Sequence, residues 1–159
     1  MFKKILMLAA AFFIFTGTYA GADNKKAVAI MYHDVTENPF LYSQYSVSRD
    51  SLEEDIKEFL KNGYTFLKAS QMTESFIDGR AEDKFVALTF DDGYESFYTE
   101  IFPLLKKYNV PASFYILTSE TDKYNHLSKS QLKALAESDL VELGAHSHYV
   151  HKLGRDGIM

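Results

Sequence analysis

An α/β fold built on parallel strands is predicted by three features of the 159-residue sequence. Short apolar runs alternate with segments of helical periodicity, as expected when each parallel strand is joined to the next by a crossover helix. The runs at 85–88 and 112–117 are apolar without alternation, which indicates strands covered on both faces. Side chains able to carry chemistry follow two of the predicted strands, an aspartate pair and a histidine cluster.

The first half of the chain carries two predicted strand–helix units. A strand at 27–32 precedes a helix that begins at Ser48 or Asp50 and ends near Lys61, because both residues are good N-caps and acids fill the first turn. The apolar face of this helix is expected to contain Leu52, Ile56, Phe59 and Leu60. The second unit has a short strand at 64–67 and a helix at 69–77. Asn-Gly and Asp-Gly pairs end the two helices.

The second half repeats this order. A strand at 85–90 precedes a helix at 94–108, which Pro103 should kink or divide. A strand at 112–117 and a polar loop at 118–125 follow. Ser128 then caps a helix that runs to about residue 137 and leads into a strand at 140–145.

Residues 1–20 have the composition of a signal peptide. Lys3 and Lys4 precede an apolar run at 5–15, and small residues suitable for cleavage follow. A membrane span needs about 20 apolar residues, so no stable span is expected after cleavage; an uncleaved anchor is the alternative. An exported protein is therefore predicted, located in the periplasm or in the cell envelope and extracellular space. Residues 21–159 would form its single domain.

The charge balance excludes one class of partner. The formal net charge is -5, and removal of the two lysines in 1–20 makes it -7, which argues against nucleic acid as a ligand. The chain has no cysteine, so its stability must come from packing and from any bound metal.

Asp91 and Asp92 directly follow the strand predicted at 85–90, and Gly93 permits a sharp exit of the backbone. In α/β folds, ligands bind at the carboxyl ends of strands. Two adjacent carboxylates repel each other, an arrangement that is tolerable if one binds a cation and the other acts as a base. The alternative is that one aspartate caps the following helix while the other is solvated.

Three of the five histidines lie within six residues, at His146, His148 and His151. Two histidines and one carboxylate with an open coordination position form a hydrolytic metal site. His146 and His151 can converge on one ion only if a turn follows the strand, which Gly144 and Ser147 would allow. The alternative is a loop with surface histidines.

Two motifs resemble those of a known family. Thr-Phe-Asp-Asp-Gly at 89–93 is similar to the first motif of polysaccharide deacetylases of the NodB homology type (carbohydrate esterase family 4), and His-Ser at 146 to the second. The second histidine usually comes four residues later, but here it falls at His151. This five-residue step resembles the branch that deacetylates poly-β-1,6-N-acetylglucosamine, as does Met-Tyr-His at 31–33. The resemblance extends from about residue 28 to the last residue.

The resemblance implies a parallel (β/α) barrel that hydrolyses N-acetyl groups on an N-acetylglucosamine-containing polysaccharide. Asp92, His146 and His151 would hold one divalent ion, zinc first and cobalt, nickel or iron as alternatives, and Asp91 would be the base. Further residues expected to line the site are Tyr32, His33, Gly93 and Ser147.

The family's later motifs, an Arg-x-Pro segment, an Asp and Trp pair and a Leu-x-His segment, have no counterpart in the 159 residues, which contain no tryptophan. An eight-unit barrel needs about 250 residues, so an incomplete barrel is expected, the N-terminal part of such a domain. In the family, the last motif supplies the histidine that protonates the leaving amine; His33, His126 or His148 could take its place. Two other functions stay open: an inactive or glycan-binding relative, and a metal hydrolase of esters or phosphoesters. The sequence leaves the oligomeric state undetermined.

Overall fold

The computed structural model describes residues 26–38, 43–79 and 84–148. The predicted signal peptide and His151 lie outside these ranges, so both stay predictions. The strands are β1 Lys26–Tyr32, β2 Asp34–Val35, β3 Ser46–Val47, β4 Thr65–Phe66, β5 Lys84–Phe90, β6 Ala112–Leu117 and β7 Val141–Ser147. The helices are α1 Arg49–Lys61, α2 Ala69–Ile77, α3 Phe102–Tyr108 and α4 Lys129–Ala136, with a π-helical segment at Phe97–Ile101 before α3.

A parallel sheet organises the described residues, as the sequence predicted. Its strand order is β1-β5-β6-β7, and β4 pairs with the first residues of β5. β1 and β5 are in register along their whole length, so that Tyr32 lies opposite Phe90. The sheet formed by these strands is open and not closed into a barrel, and their carboxyl ends meet at one edge.

The core lies between one face of the sheet and the helices, with Phe90 near its centre. The Phe90 ring lies 5.3 Å from those of Tyr32 and Phe114 and 5.7 Å from that of Phe97, between ring centroids. Aromatic pairs at such distances stabilise a core beyond the area they bury. The residue that precedes the aspartate pair is therefore held on three sides by rings.

Most helix boundaries agree with the predictions. Ser48 and Ser128 cap α1 and α4, each by accepting a hydrogen bond from a backbone amide three residues on. Asp50, the alternative cap of α1, lies inside the helix. Leu60 was wrongly assigned to the buried face of α1: it is 41% exposed, because the face that contacts the sheet is set by Leu52 and Ile56. Within the described ranges, no helix is long and apolar enough to cross a membrane.

The helix predicted at 94–108 is divided, as Pro103 required. It begins at Phe97 with a π-helical turn, and α3 follows with Pro103 in its first turn. Proline has no backbone N–H to donate, and it is tolerated at this position of a helix. The widened π turn keeps Phe97, Ile101, Leu104 and Leu105 on the buried face.

Glu53 connects α1 to α3. Its carboxylate accepts a hydrogen bond from Lys107 Nζ at 2.7 Å, accepts a short bond from the Tyr108 hydroxyl and pairs with Lys57 Nζ at 3.1 Å. These contacts lower the pKa of Glu53 from 4.5 to about 2, and the hydrogen bond from Lys107 has the largest effect. The ionised form is thus favoured by folding.

Replacing Glu53 by Gln is expected to reduce the free energy of unfolding at neutral pH. It should also make that free energy less dependent on pH in the acid range. Because the folded pKa is depressed, the stability from ionised Glu53 is present above about pH 4.5 and is lost as the pH falls toward about 2. Urea unfolding from pH 7 to pH 2 measures this, with the exposed Glu54→Gln as control. Parallel curves for wild type and Glu53→Gln would contradict the prediction.

Candidate active site

Asp91 and Asp92 stand where β5 ends, and backbone hydrogen bonds hold them from both sides. The Asp91 N–H donates to the Tyr32 carbonyl of β1 at 2.9 Å. On the other side, the Leu117 N–H donates to the Asp92 carbonyl at 3.4 Å and the Leu127 N–H to that of Gly93 at 2.9 Å. The turn that carries the two carboxylates is therefore fixed to β1, to the end of β6 and to the loop before α4.

The turn itself consists of two consecutive left-handed residues. Asp92 has φ 77° and Gly93 has φ 79°. Asp tolerates this region because its side chain is short and polar, whereas most L-residues are strained there. The π-helical segment that follows has Ser96 as its N-cap. Neither aspartate caps it, so the capping alternative does not explain the pair.

His146 reaches the aspartates from β7, two strands away from β5. Its Nε2 lies 3.7 Å from Asp92 Oδ1 and 3.9 Å from Asp91 Oδ2. Ile116 pairs with Ala145 but Leu117 pairs with Ser147, which leaves His146 as the extra residue of a β-bulge. Bulges re-aim side chains and are common beside active sites.

The prediction that Gly144 belongs to a turn was wrong. Gly144 lies inside β7 opposite Tyr115, and an added Cβ would come 2.7 Å from the Tyr115 ring. The glycine is thus explained by the close approach of an aromatic ring. The irregular backbone comes later, at the bulge and at Ser147 with φ 121°.

Burial and neighbouring charges set the electrostatics of the pair. Asp91 is 7% exposed and Asp92 is 6% exposed. Burial raises the pKa of Asp91 above its ordinary value; the charges of His146 and His33 oppose this rise, and that of Asp92 adds to it. Two neighbouring buried carboxylates favour a bound cation or a shared proton.

The donor atoms fit one divalent ion as far as the structure describes them. Nitrogen and oxygen ligands of zinc lie about 2.0–2.2 Å from the metal, so that two tetrahedral ligands are roughly 3.3 Å apart. The 3.7 Å between His146 Nε2 and Asp92 Oδ1 is close to this separation. No cluster of three or more metal-binding side chains occurs between residues 26 and 148 where the chain is described. The predicted third ligand, His151, lies outside that part.

Of the other predicted site residues, His33 directly follows β1 and Ser147 ends β7, whereas the Tyr32 side chain turns away from the site. The charge of His33 lowers the pKa of Asp91, and the centroids of the His33 and Tyr45 rings are 5.2 Å apart. The Ser147 carbonyl accepts a hydrogen bond from the Thr118 N–H at 3.2 Å. The Tyr32 hydroxyl donates to Asp55 of α1 at 2.7 Å, so Tyr32 supports the turn through its backbone carbonyl.

Two tyrosines that the sequence reasoning missed lie beside the acids. The Tyr94 ring stacks on that of His126 with centroids 5.1 Å apart, and burial and the charges of Asp92 and Asp34 raise the Tyr94 pKa.

Tyr115 lies on β6 between β5 and β7. Burial has the largest effect in raising the Tyr115 pKa, and the charges of Glu142 and Asp91 raise it further. Tyr94 follows the Asp-Asp-Gly turn directly, which was the available signal. The location of Tyr115 depends on strand order.

The parallel sheet is joined by helices and carries paired carboxylates and a histidine at its strand ends. The protein is therefore of the α/β class, with its candidate active site at the carboxyl ends of the strands. Comparison with protein families specifies it further. The polysaccharide deacetylase family model matches residues 78–156, a range that includes both motifs. The matched residues belong to the polysaccharide deacetylase family.

Individual relatives agree with this assignment. The poly-β-1,6-N-acetyl-D-glucosamine N-deacetylase of Staphylococcus aureus is 30% identical over an alignment covering 82% of this chain and 51% of that protein. The enzyme of the same name from Escherichia coli is 33% identical, covering 77% and 21%. The structure of IcaB from Ammonifex degensii matches with a TM-score of 0.72 and 28% identity, covering 83% of this chain and 57% of that one. The chain thus spans about half the length of the S. aureus relative.

Substituting Gly93 by Ala is expected to destabilise the protein more than substituting Gly79 by Ala. Both glycines have positive φ, but a Cβ at Gly93 would also meet Ile116 at 3.1 Å, whereas nothing lies within 4 Å at Gly79. We expect a loss of about 1 kcal/mol at Gly79 and about 2–4 kcal/mol at Gly93. Urea unfolding of both variants measures the difference. Equal losses would show that the contact with Ile116 adds no cost.

Proposed function

We propose that this protein hydrolyses N-acetyl groups on an N-acetylglucosamine-containing polysaccharide, of the poly-β-1,6-N-acetylglucosamine type, outside the cytoplasm. The observation that carries the proposal is the position of His146 within 4 Å of both buried aspartates. The names of the S. aureus and E. coli relatives supply the substrate class. The signal-peptide composition of residues 1–20 supplies the location.

Asp92, His146 and His151 are the residues that would hold a divalent ion, with zinc as the first choice and cobalt, nickel or iron as alternatives. When bound, such an ion acidifies water and polarises an acyl oxygen. The chain's own contribution is to exclude solvent and to fix the ligands. Asp92 is held by its left-handed backbone and by the Leu117 amide, and His146 by the bulge.

Asp91 is the base of the proposed reaction. Its carboxylate lies beside His146 but belongs to the end of β5, where the bond to Tyr32 fixes its backbone. Asp91 accepts a proton from the water that adds to the acetyl carbon. The C–N bond then breaks, acetate leaves and the sugar nitrogen takes up a proton to become an amine. Burial of Asp91 limits competing contacts with bulk water.

Metal content and activity of the two aspartate variants test the proposal. We expect residues 21–159 to bind one divalent ion, Asp92→Asn and His151→Ala to lose it, and Asp91→Asn to keep it. Loss of a general base should lower acetate release from N-acetylglucosamine oligomers about 10²- to 10⁴-fold. Metal analysis after gel filtration and an acetate assay measure these effects, with Asp139→Asn as the exposed control.

Four results would contradict the proposal in different ways. Loss of the ion in Asp91→Asn and its retention in Asp92→Asn would reverse the two roles. A folded protein that binds no ion would remove the metal site. Oligosaccharide binding without acetate release would favour a glycan-binding relative, and activity restricted to simple aryl esters would favour a different hydrolase.

A further inference from the structure

A cavity lies near the aspartate turn, on the β1 side of the sheet edge. It has a volume of about 290 Å³ and is formed by the segment after β1, the start of α1 and the start of the π-helical segment. We call it the flank cavity, and the residues of its lining used below are Asp34, Glu37, Arg49, Glu95, Ser96 and Glu100. None of them is among the proposed metal ligands or the base.

A buried carboxylate forms the inner wall of the flank cavity. Asp34 is 4% exposed, and its Oδ1 accepts a hydrogen bond from the Ser96 hydroxyl at 2.7 Å. The Ser96 oxygen in turn accepts one from the Val35 N–H at 3.3 Å. The pairing of β2 with β3 fixes the backbone of Asp34. The acid is therefore rigidly placed and largely shielded from solvent, where charge interactions are stronger.

The charge of the lining is strongly negative. Among the residues lining the cavity, the acids are Asp34, Glu37, Glu95 and Glu100 and the one cation is Arg49. The formal charge of the lining is therefore -3. Arg49 Nε lies 3.5 Å from Glu100 Oε2, and its backbone N–H donates to Glu37 Oε1 at 3.0 Å. One guanidinium can offset only part of this charge. A ligand with a positive charge is therefore favoured.

Polar uncharged groups complete the lining. Thr36, Asn38 and Asn125 contribute a hydroxyl and two amides. Such groups, together with carboxylates, hydrogen-bond sugar hydroxyls, because they offer both donors and acceptors. A volume near 290 Å³ is at the lower end for ligand pockets, which suits a single ring. The composition thus matches a cationic, hydroxyl-rich ring better than a bare metal ion or a peptide.

Two short pieces of chain connect the lining of the flank cavity to the aspartate site. Asp34 is two residues after Tyr32, which lies opposite Phe90 in the sheet, and Ser96 is four residues after Asp92. Tyr94 lies within electrostatic reach of both Asp92 and Asp34. A polymer bound with one unit at the aspartates therefore has a neighbouring unit close to the cavity.

We infer that the flank cavity is a subsite for a protonated 2-amino sugar unit of a partly deacetylated glycan, next to the unit at the aspartates. The inference rests on the proposed function, since deacetylation produces such units. It implies that the protein recognises a strand on which a neighbouring acetyl group has already been removed. Asp34 and its partner carboxylates would contact the ammonium group.

Binding of two small sugars tests the subsite without any turnover. The probes are methyl β-glucosaminide, at a pH where its amine is protonated, and methyl N-acetyl-β-glucosaminide, titrated into residues 21–159 and followed by NMR. We expect the amino sugar to bind more tightly and to shift amide signals of residues 34–38 and 95–100. Glu100→Gln should weaken its binding about 2- to 5-fold and Asp34→Asn about 10-fold or more.

Arg49→Gln supplies a test of opposite sign. Removing the cation should tighten amino-sugar binding about 2- to 5-fold, while Glu74→Gln on α2, with the same charge change as Glu100→Gln, should have no effect. Because Glu100 and Arg49 are partly exposed, these variants keep the test informative if Asp34→Asn does not fold.

Several results would overturn the inference. These are equal affinity for the two sugars, equal weakening by Glu100→Gln and Glu74→Gln, or equally tight binding of methylammonium or Mg²⁺ with the same shifts. Failure of the proposed function is seen separately, as absence of metal or of acetate release with amino-sugar binding intact. Failure of the subsite leaves metal content and acetate release unchanged and abolishes only the preference for the amine.

Discussion

Two adjacent carboxylates at a buried strand end are the constraint on which the rest of this structure depends. Asp91 and Asp92 repel each other where little water can screen their charges, so the surrounding backbone must fix their positions. β1, the end of β6 and the loop before α4 each contribute one backbone hydrogen bond to the turn. A left-handed pair of residues and a bulge that brings His146 complete the arrangement. The divalent cation proposed for this site would offset the repulsion between the two carboxylates.

Stability and function meet at Phe90. Its ring lies among those of Tyr32, Phe97 and Phe114, and the next residue is the proposed base. The π-helical turn at 97–101 maintains this packing above Pro103. Because protein cores are close-packed, a change in any of these rings is transmitted to the position of Asp91. The aromatic cluster therefore acts as the support of the site as well as the centre of the core.

Negative charge collects at one edge of the sheet for a topological reason. Parallel strands bring their carboxyl ends together, and β1 and β5 are in full register, so Asp34 and the aspartate pair leave the sheet side by side. One set of acids fits a divalent ion, and the other, with Ser96 and Arg49, lines a cavity large enough for one ring. The reaction proposed for the first set releases an amine that the second set is suited to bind.

The sequence by itself determined the local features: the order of strands and helices, the serine caps of α1 and α4, the division of the helix at Pro103 and the strand-end location of the acids. These depend on side-chain period, capping and proline geometry, which act over a few residues. The tertiary structure decided the rest, including the bulge at His146, the packing role of Gly144, the exposure of Leu60 and the contact between Asp34 and Ser96. Those features depend on which strands become neighbours, and residues 62 positions apart meet only when the sheet and helices have packed.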